Sequence, residues 1–287
     1  MILIQDYKSN DPLRKSFDKL ANLVFGISLE EWFTKGFWND SYKCHSLVED
    51  GVVISNVSTT HMNLVLNGQK RRAIQLGTVM THPDFRNKGL AATLMKTVLD
   101  HYQGQTDLFY LFPAEAVMQF YPKYGFTHYH DIFYTLETVV TSSPTSSITR
   151  VDIGNDFELG KFHDAVQSRR VISSTFDTLD CTSIYMWHCL NDLRENIYRI
   201  NGTDNYLVLR QESEKIRLYD FVSDTEYPFT YILDSLGPDS QKEICLHFLP
   251  DELSADRWKL REHKNEDMFF RQITPSSTFS HQVMAHT

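Results

Sequence analysis

The spacing of apolar residues predicts a strand followed by a helix near the middle of the first half of the chain. The strand candidate, Gln75–Thr81, is rich in Thr, Val and Leu, which are typical of β-strands. From residue 90 onward, apolar side chains recur at every fourth position, and this spacing places them on one face of a helix. The stripe consists of Leu90, Leu94, Val98 and Tyr102. The turn-forming residues between the two elements complete a strand–loop–helix unit.

The segment before this unit predicts a short strand and two helices. Ile2–Gln5 is an apolar strand candidate. Asp11 followed by Pro12 predicts a helix with Asp11 as its N-cap, and Gly26 is expected to end it. Ser28–Glu31 predicts a second helix that begins with a capping box.

The remaining elements of the first half predict a mixed sheet. Hairpins are expected at Asp50-Gly51 and at Asn67-Gly68, before the strand Gln75–Thr81. After the long helix we expect a strand at Leu108–Phe112, a short helix at Ala114–Phe120 and a strand pair at Thr127–Leu136. Hairpins followed by alternating strands and helices describe an α/β (α+β) fold, a mixed sheet flanked by helices.

A Ser/Thr-rich stretch at 137–150 predicts a domain boundary near Thr145, giving domains 1–144 and 145–287. The second half contains no recognisable motif. Its pattern predicts helices that include 159–166, 186–197 and 231–236, a hairpin over 206–222, and a strand at 243–249. The residues from Pro275 to the end are expected to form a polar tail.

Charge and cysteine content narrow the classes of function. The net charge of −9 disfavours nucleic-acid binding, which relies on Lys and Arg, and it favours cationic partners such as amines. The four cysteines are scattered without a C-x-x-C pair, so we expect neither a zinc ribbon nor a disulfide framework. No apolar run is long enough for a signal peptide or a membrane span, which predicts a cytoplasmic protein without membrane contact.

The loop between the strand and the helix has the features of an anion site. Arg86, Lys88 and Gly89 precede the helix, so unpaired backbone N–H groups and the positive end of the helix dipole converge there. Gly89 lets the backbone approach a phosphate closely. The loop is neither a Rossmann fingerprint nor a P-loop.

Two motifs resemble those of the GCN5-related N-acetyltransferases (the GNAT superfamily). Arg86, Gly89 and Ala91 form an Arg-x-x-Gly-x-Ala pattern preceded by THPDF, which resembles the acetyl-CoA pyrophosphate loop of that family. Phe120–Phe126, FYPKYGF, resembles its FY-x-x-x-GF segment. The resemblance covers the first half of the chain. The second half is interpreted as a degenerate GNAT-like α+β domain without a cofactor loop.

The resemblance implies acetyl-CoA as co-substrate and a set of binding residues. Backbone at Val79, Met80 and Thr81 is expected to hold the pantetheine arm and to polarise the thioester carbonyl. The pyrophosphate is expected at the loop and helix start, formed by Arg86, Asn87, Lys88, Gly89, Leu90, Ala91 and Ala92. The alternative for Lys88 is a basic side chain without a role in binding.

The same resemblance assigns Tyr121 as the general acid that protonates the departing thiolate. Pro122 disfavours helical backbone at Tyr121. The alternative is a buried structural tyrosine bonded to backbone. The general base stays open: His61 and Glu49 are candidates beside an ordered water, whereas His82 is expected to shape the turn before Pro83.

Two further clusters have competing interpretations. The aromatic residues Trp32, Phe33, Phe37 and Trp38 line an acceptor pocket or form part of the core. His128 and His130 lie two apart on one strand face, and without a third ligand we expect solvent-facing histidines and no metal.

The predicted activity is transfer of an acetyl group from acetyl-CoA to a primary amine by direct attack, without a covalent enzyme intermediate. The acceptor stays open among a small polyamine, an aminoglycoside, an amino acid and a peptide N-terminus, and so does the oligomeric state. The alternative is a non-catalytic, regulatory acyl-CoA-binding protein with the same fold. Tyr121 beside an intact loop favours the enzyme, because a pure binder needs only the loop.

Overall fold

A computed structural model describes residues 1–136, 147–254, 259–273, 279–281 and 284. The helices are α1 (Asp11–Phe25), α2 (Glu30–Thr34), α3 (Leu90–Tyr102), α4 (Asp156–Ser168), α5 (Thr182–Leu190) and α6 (Phe229–Leu236). The strands of the first half are β1 (Ile2–Gln5), β2 (Tyr42–Glu49), β3 (Val52–Leu66), β4 (Gln69–Thr81), β5 (Leu108–Leu111) and β6 (Thr127–Leu136). Those of the second half are β7 (Ile148–Arg150), β8 (Phe176–Leu179), β9 (Ile197–Ile200), β10 (Tyr206–Gln211), β11 (Lys215–Val222), β12 (Glu243–Leu246) and β13 (Leu260–Arg271).

All of these strands belong to one mixed sheet. Its order is β1-β2-β3-β4-β5-β13-β6-β12-β11-β10-β9-β7, and β8 pairs with β3 outside this path. Most neighbours are antiparallel, whereas β4–β5 and β11–β12 are parallel. The predicted mixed sheet flanked by helices is therefore confirmed.

The two halves exchange their last strands. The strand that follows β5 in sequence is β6, but it pairs with β12 of the second half. The strand that follows β12 is β13, and it pairs with β5 of the first half. A long antiparallel β6–β13 ladder joins the exchanged strands at the centre of the sheet. Neither half completes its sheet without the other.

The second half repeats the topology of the first. The first half runs β1-α1-α2-β2-β3-β4-α3-β5, and the second runs β7-α4-β8-α5-β9-β10-β11-α6-β12, so only β8 is added. The pairing also matches, because the first four strands of each repeat are antiparallel neighbours and the last pair is parallel. This correspondence agrees with the interpretation of the second half as GNAT-like. The boundary proposed near Thr145 lies outside the described residues.

The predicted starts of the first two helices need correction. The N-cap of α1 is Asn10, whose side chain accepts the Leu13 N–H, and Asp11 is already helical. The predicted end at Gly26 is confirmed, since this residue is left-handed with φ 72°. The capping box at Ser28 is wrong: the N-cap of α2 is Leu29, which makes no side-chain cap, and the Ser28 hydroxyl donates to Asp18 and accepts the Glu30 N–H at 3.4 Å.

Several elements outside the first helices also differ from expectation. Thr127–Leu136 is one continuous strand, because its hydrogen-bonding partners β12 and β13 come from distant sequence. The helix expected to reach Ile197 ends at Leu190, and Ile197 begins β9. The strand β13 was not predicted, since its first two thirds are largely exposed and polar.

The expected polar tail contains buried residues. Among the described residues after Pro275, Phe279, Ser280, His281 and Met284 are all buried. Phe279 stacks on Phe176 with ring centroids 4.4 Å apart. The end of the chain therefore contributes to the core between the two halves. None of the described helices combines the length and the apolar character that a membrane span needs.

Candidate functional site

The strand β4 contains a bulge at the predicted pantetheine-binding residues. The β3–β4 register shifts between Asn56, which pairs with Met80, and Ser58, which pairs with Gly77. Thr78 in the bulge has φ 40°. Side chains fix this conformation, because Asn56 donates to the Thr78 carbonyl at 2.9 Å and the Tyr42 hydroxyl lies 2.8 Å from Thr78 Oγ1. The bulge therefore redirects the backbone at residues 78–80.

Just before the bulge, β4 and β5 separate. Their parallel ladder extends only from Ala73 to Gln75, whereas β4 continues to Thr81. Within the described part of the chain, no strand pairs with the β5-facing side of residues 76–81. The backbone of Val79, Met80 and Thr81 thus borders a cleft between two strands, into which an extended ligand can add as a strand does.

The start of α3 leaves backbone N–H groups unpaired. Gly89 is the N-cap with φ 76°, it supplies no side-chain cap, and the first intrahelical bond runs from Thr93 N to the Gly89 carbonyl. The N–H groups of Leu90, Ala91 and Ala92 precede that bond and point out of the helix end. A Cβ added at Gly89 would meet no protein atom within 4 Å, so the space before the helix is open. The positive φ, rather than crowding, explains the glycine.

The basic side chains of the loop have protein partners of their own. Arg86 Nε donates to the Thr81 carbonyl at 3.3 Å, which ties the loop to the end of β4. Lys88 Nζ lies 4.6 Å from the centre of the Phe85 ring, and Asn87 has φ 62°. His82 accepts the Asp84 N–H at 3.3 Å and caps the 3-10 turn Pro83–Phe85, which confirms its expected role in the turn.

Tyr121 lies in the same apolar cluster as Val79 and Leu90, on the α3 side of the sheet. It begins a 3-10 helix, Tyr121–Tyr124, so the expectation of non-helical backbone at Tyr121, which Pro122 disfavours, is wrong. Only 4% of Tyr121 is exposed, and burial raises its pKa to about 12. No hydrogen-bond partner of its hydroxyl is found among the described residues, and its ring packs against Phe126 and Phe269.

The two candidate bases lie apart from the bulge. His61 pairs with Ile74, roughly 13 Å along β3 from the residue opposite the bulge at about 3.4 Å per residue. Its ring is 4.8 Å from the Tyr102 ring, and burial lowers its pKa to about 4. Glu49 lies at the β2–β3 turn opposite Val52. Neither residue is brought to Val79.

The four aromatic residues of the α2 region pack into the protein. Trp32 and Trp38 are buried and stack with ring centroids 5.3 Å apart, and Trp32 Nε1 donates to the Ser183 carbonyl of the second half. The core interpretation holds for this pair. Phe33 and Phe37 are half-buried, and Phe37 stacks on His163.

Sequence reasoning missed a buried polar pair at the point where β4 and β5 separate. Gln75 pairs with Tyr110 in the last rung of the β4–β5 ladder, and Thr60 is its partner on β3. Gln75 is fully buried, and neither its amide oxygen nor its amide nitrogen has a partner among the described protein atoms. The Thr60 hydroxyl is likewise buried without a partner. The sequence feature that could have revealed this pair is Gln75 itself, a polar residue between the apolar Ile74 and Leu76 of a strand.

This polar pair faces away from α3. Ile74 and Leu76, on either side of Gln75, pack in the cluster that contains Leu94 of α3. Because side chains alternate along a strand, Gln75 points to the opposite face. Burying an amide without a partner costs roughly 1–3 kcal/mol, so the pair is a place where a water or a ligand is expected.

The corresponding helix start of the second half is occupied by the protein itself. Glu252 Oε2 accepts the Phe229 N–H at 2.6 Å, at the first residue of α6. A carboxylate therefore lies where the equivalent α3 start is open. Of these two helix starts, only that of α3 lacks a side-chain acceptor among the described residues.

Comparisons with known proteins agree with this geometry. Residues 13–129 match the family described as acetyltransferase (GNAT) domain. A sequence comparison with curated proteins gives no significant match.

Solved structures share the fold over nearly the whole chain. A conserved protein of unknown function from Enterococcus faecalis V583 superposes with a TM-score of 0.62 at 17% identity, covering 94% of this chain and 72% of that one. Eis1 from Mycobacterium abscessus gives 0.61 at 15%, covering 94% and 73%. A GCN5-related N-acetyltransferase from Kribbella flavida gives 0.56 at 14%, covering 94% and 70%. These identities establish likeness of fold alone.

The family match spans the elements that build the site, from α1 through the bulge of β4, the Gly89 loop, α3 and the Tyr121 turn. Residues 13–129 are therefore the part of this chain that is similar to the GNAT acetyltransferase domain.

Proposed function

We propose that this protein transfers an acetyl group from acetyl-CoA to a primary amine. The observation that carries the proposal is the β4–α3 unit. There, a bulge and a strand separation lie directly before an open helix start. An extended ligand with a phosphate-bearing end matches both parts of that unit.

The donor would lie along this unit with its pyrophosphate at the start of α3. Backbone N–H groups of Gly89, Leu90, Ala91 and Ala92 would bind the phosphates, with the helix dipole adding to the attraction. Arg86, Asn87 and Lys88 shape the preceding turn. The pantetheine arm would add beside Val79–Thr81, and a backbone N–H of Val79 or Met80 would polarise the thioester carbonyl.

In the reaction the amine nitrogen attacks the thioester carbon and the carbon–sulfur bond breaks. Tyr121 would donate its proton to the departing thiolate. A tyrosine hydroxyl is protonated at neutral pH even at its ordinary pKa of about 10, and burial raises the pKa of Tyr121 to about 12, so the hydroxyl is available as a donor. The proton lost by the amine goes to a base or to ordered water.

Direct transfer is supported by the state of the cysteines. All four are buried in the structure. Burial raises the pKa of the Cys44 thiol and of the Cys189 thiol well above the ordinary range, so neither presents a thiolate at neutral pH. A covalent acetyl-cysteine intermediate is therefore not part of the proposal.

The acceptor would approach the face of the sheet that carries Gln75 and Thr60. Their buried amide and hydroxyl groups would bond to the amine substrate or to a water that contacts it. The acceptor class is a small-molecule or peptide amine. The net charge of −9 favours a cationic acceptor over a nucleic acid.

The test is the thermal midpoint of the protein with acetyl-CoA, beside the variant Gly89→Trp. A ligand that binds only the native state raises the midpoint, and the bulky side chain at an open helix start should abolish the rise. Absence of a rise in the unmodified protein would contradict the proposal. A rise without acetyl transfer to any amine tested would support a non-catalytic acyl-CoA-binding protein instead.

A further inference from the structure

A cluster of three ligand-type side chains lies on the central β6–β13 ladder. His128 Nε2 is 2.7 Å from Asp267 Oδ1, and His130 Nδ1 is 2.9 Å from the same oxygen. The three ligand atoms lie within 4.8 Å of one another, and all three side chains are partly exposed. Among the described residues, this is the one group of three or more such side chains close enough to share an ion.

The register of the exchanged strands creates the cluster. His128 and His130 project from one face of β6 because alternate residues of a strand share a face. Asp267 of β13 pairs directly with His130. A bulge between Lys264 and Asp267 sets this register, and it places Asp267 instead of Glu266 opposite His130. Two residues from the end of the first repeat thus meet one from the end of the second.

We propose that His128, His130 and Asp267 bind a divalent transition-metal ion of the zinc class. Two imidazoles and one carboxylate are a common ligand set for Zn²⁺, and three protein ligands leave a position for water. Donor atoms about 2.1 Å from a tetrahedral Zn²⁺ lie roughly 3.4 Å apart. The present separations from Asp267 Oδ1 are slightly shorter and no pair of ligand atoms is more than 4.8 Å apart, so side-chain rotations would be needed to place all three around an ion.

The ion would join the exchanged strands at the centre of the sheet. Because its ligands come from β6 and β13, binding would stabilise the ladder that holds the two repeats together. The cluster also adjoins the apolar cluster around Tyr121, since the His128 ring lies 5.2 Å from that of Phe269. None of its ligands belongs to the β4–α3 unit, so the metal site is separate from the acetyl-CoA site.

The test is calorimetric titration of Zn²⁺ into the EDTA-treated full chain. We expect one ion per chain, together with a rise in the thermal midpoint that EDTA reverses. The variants His130→Ala and Asp267→Ala should each weaken Zn²⁺ binding at least tenfold and lose the rise. The matched control is His163→Ala, which removes a partly exposed histidine beside a single carboxylate, Asp164, and should bind Zn²⁺ as the unmodified chain does.

Thermal melting in the absence of metal shows whether each variant folds. Because the side chains of His130 and Asp267 are partly exposed, we expect thermal midpoints close to that of the unmodified chain. The proposal fails if the unmodified chain takes up no Zn²⁺ at one equivalent. It also fails if His130→Ala and Asp267→Ala, both folded, bind Zn²⁺ as tightly as His163→Ala.

Discussion

The ring of Phe269 packs against the ring of Tyr121, with 5.7 Å between their centroids. Phe269 belongs to the last strand of the chain, whereas Tyr121 lies in the turn after β5. The surroundings of the proposed general acid are therefore completed by residues that follow it by more than half of the chain. Burial by this contact and its neighbours raises the pKa of Tyr121 to about 12.

Replacing Tyr121 by Phe should slow acetyl transfer while leaving CoA binding intact. The variant loses only a hydroxyl that has no partner among the described residues, so stability should change little. General-acid catalysis typically contributes about 10²-fold or more to a rate, and we expect a fall of that size in kcat. Steady-state kinetics and CoA titration measure the two effects, with Tyr124→Phe as the neighbouring control. An unchanged kcat would exclude Tyr121 from proton transfer.

A fragment that ends at residue 144 should fail to fold cooperatively. Without the second half, β5 loses its neighbour β13, β6 loses both of its neighbours, β12 and β13, and Phe269 no longer covers Tyr121. We expect no cooperative melting transition for the fragment alone. Co-expression with residues 145–287 as a separate chain should restore the transition, because the exchanged strands can then pair. A fragment that melts cooperatively by itself would show that the first half is an independent domain.

Replacing Gln75 by Leu should lower the activity of the protein without lowering its stability. Removing a buried amide without a protein partner should leave stability unchanged or raise it by about 1 kcal/mol. If Gln75 contacts the acceptor or its water, kcat/KM for the amine should fall about tenfold, since one lost hydrogen bond of this kind is worth about 1.4 kcal/mol. Thermal melts and kinetics measure both quantities, and Gln105→Leu, at an exposed position, is the control. A large loss of stability would instead mean that Gln75 is bonded inside the protein.

Asp131 should make the protein less stable as the pH rises. This carboxyl is 1% exposed, and burial is the largest cause that raises its pKa, to about 7 from an ordinary value of 3.8. The folded state therefore holds the proton more tightly than the unfolded state between about pH 4 and 7, and stability is lost across that window as the pH increases.

The variant Asp131→Asn removes this ionisation. At pH 8 it should be more stable than the unmodified protein by up to about 4 kcal/mol, and the difference should shrink toward pH 4. Its side-chain oxygen can still accept the His281 N–H, which Asp131 accepts at 2.7 Å. Denaturant unfolding at several pH values measures the effect, with exposed Asp164→Asn as the control. A constant difference at all pH values would contradict the assignment.

The sequence was most informative where the relevant interactions are local. The helix α3 follows from the four-residue apolar repeat, and the loop before it follows from Gly89 and the arrangement of backbone groups at a helix start. The Gly51 and Gly68 turns were found for the same reason, because left-handed backbone favours glycine. The two motifs that resemble the GNAT family also lie within one short stretch each.

The helix starts at Asn10 and Ser28 show the limit of local reasoning. Asn10 and Asp11 are both good caps, and the sequence does not distinguish them, whereas the structure uses Asn10. Ser28 matches a capping box, yet its hydroxyl bonds to Asp18 of the preceding helix. A capping pattern alone therefore does not predict the helix start when another side chain, here Asp18, lies close enough to bond the same hydroxyl.

The sequence alone determined the β4–α3 unit and its family resemblance, since hydrophobic period, turn residues and helix-end chemistry act over a few residues. The tertiary structure decided which strands are neighbours in the sheet and which distant side chains meet. It placed β13 between β5 and β6, Phe269 against Tyr121, and Asp267 beside two histidines of β6. Strand pairing is made by backbone groups that are alike in every residue, so the partner of an edge is chosen by the packing of the whole sheet.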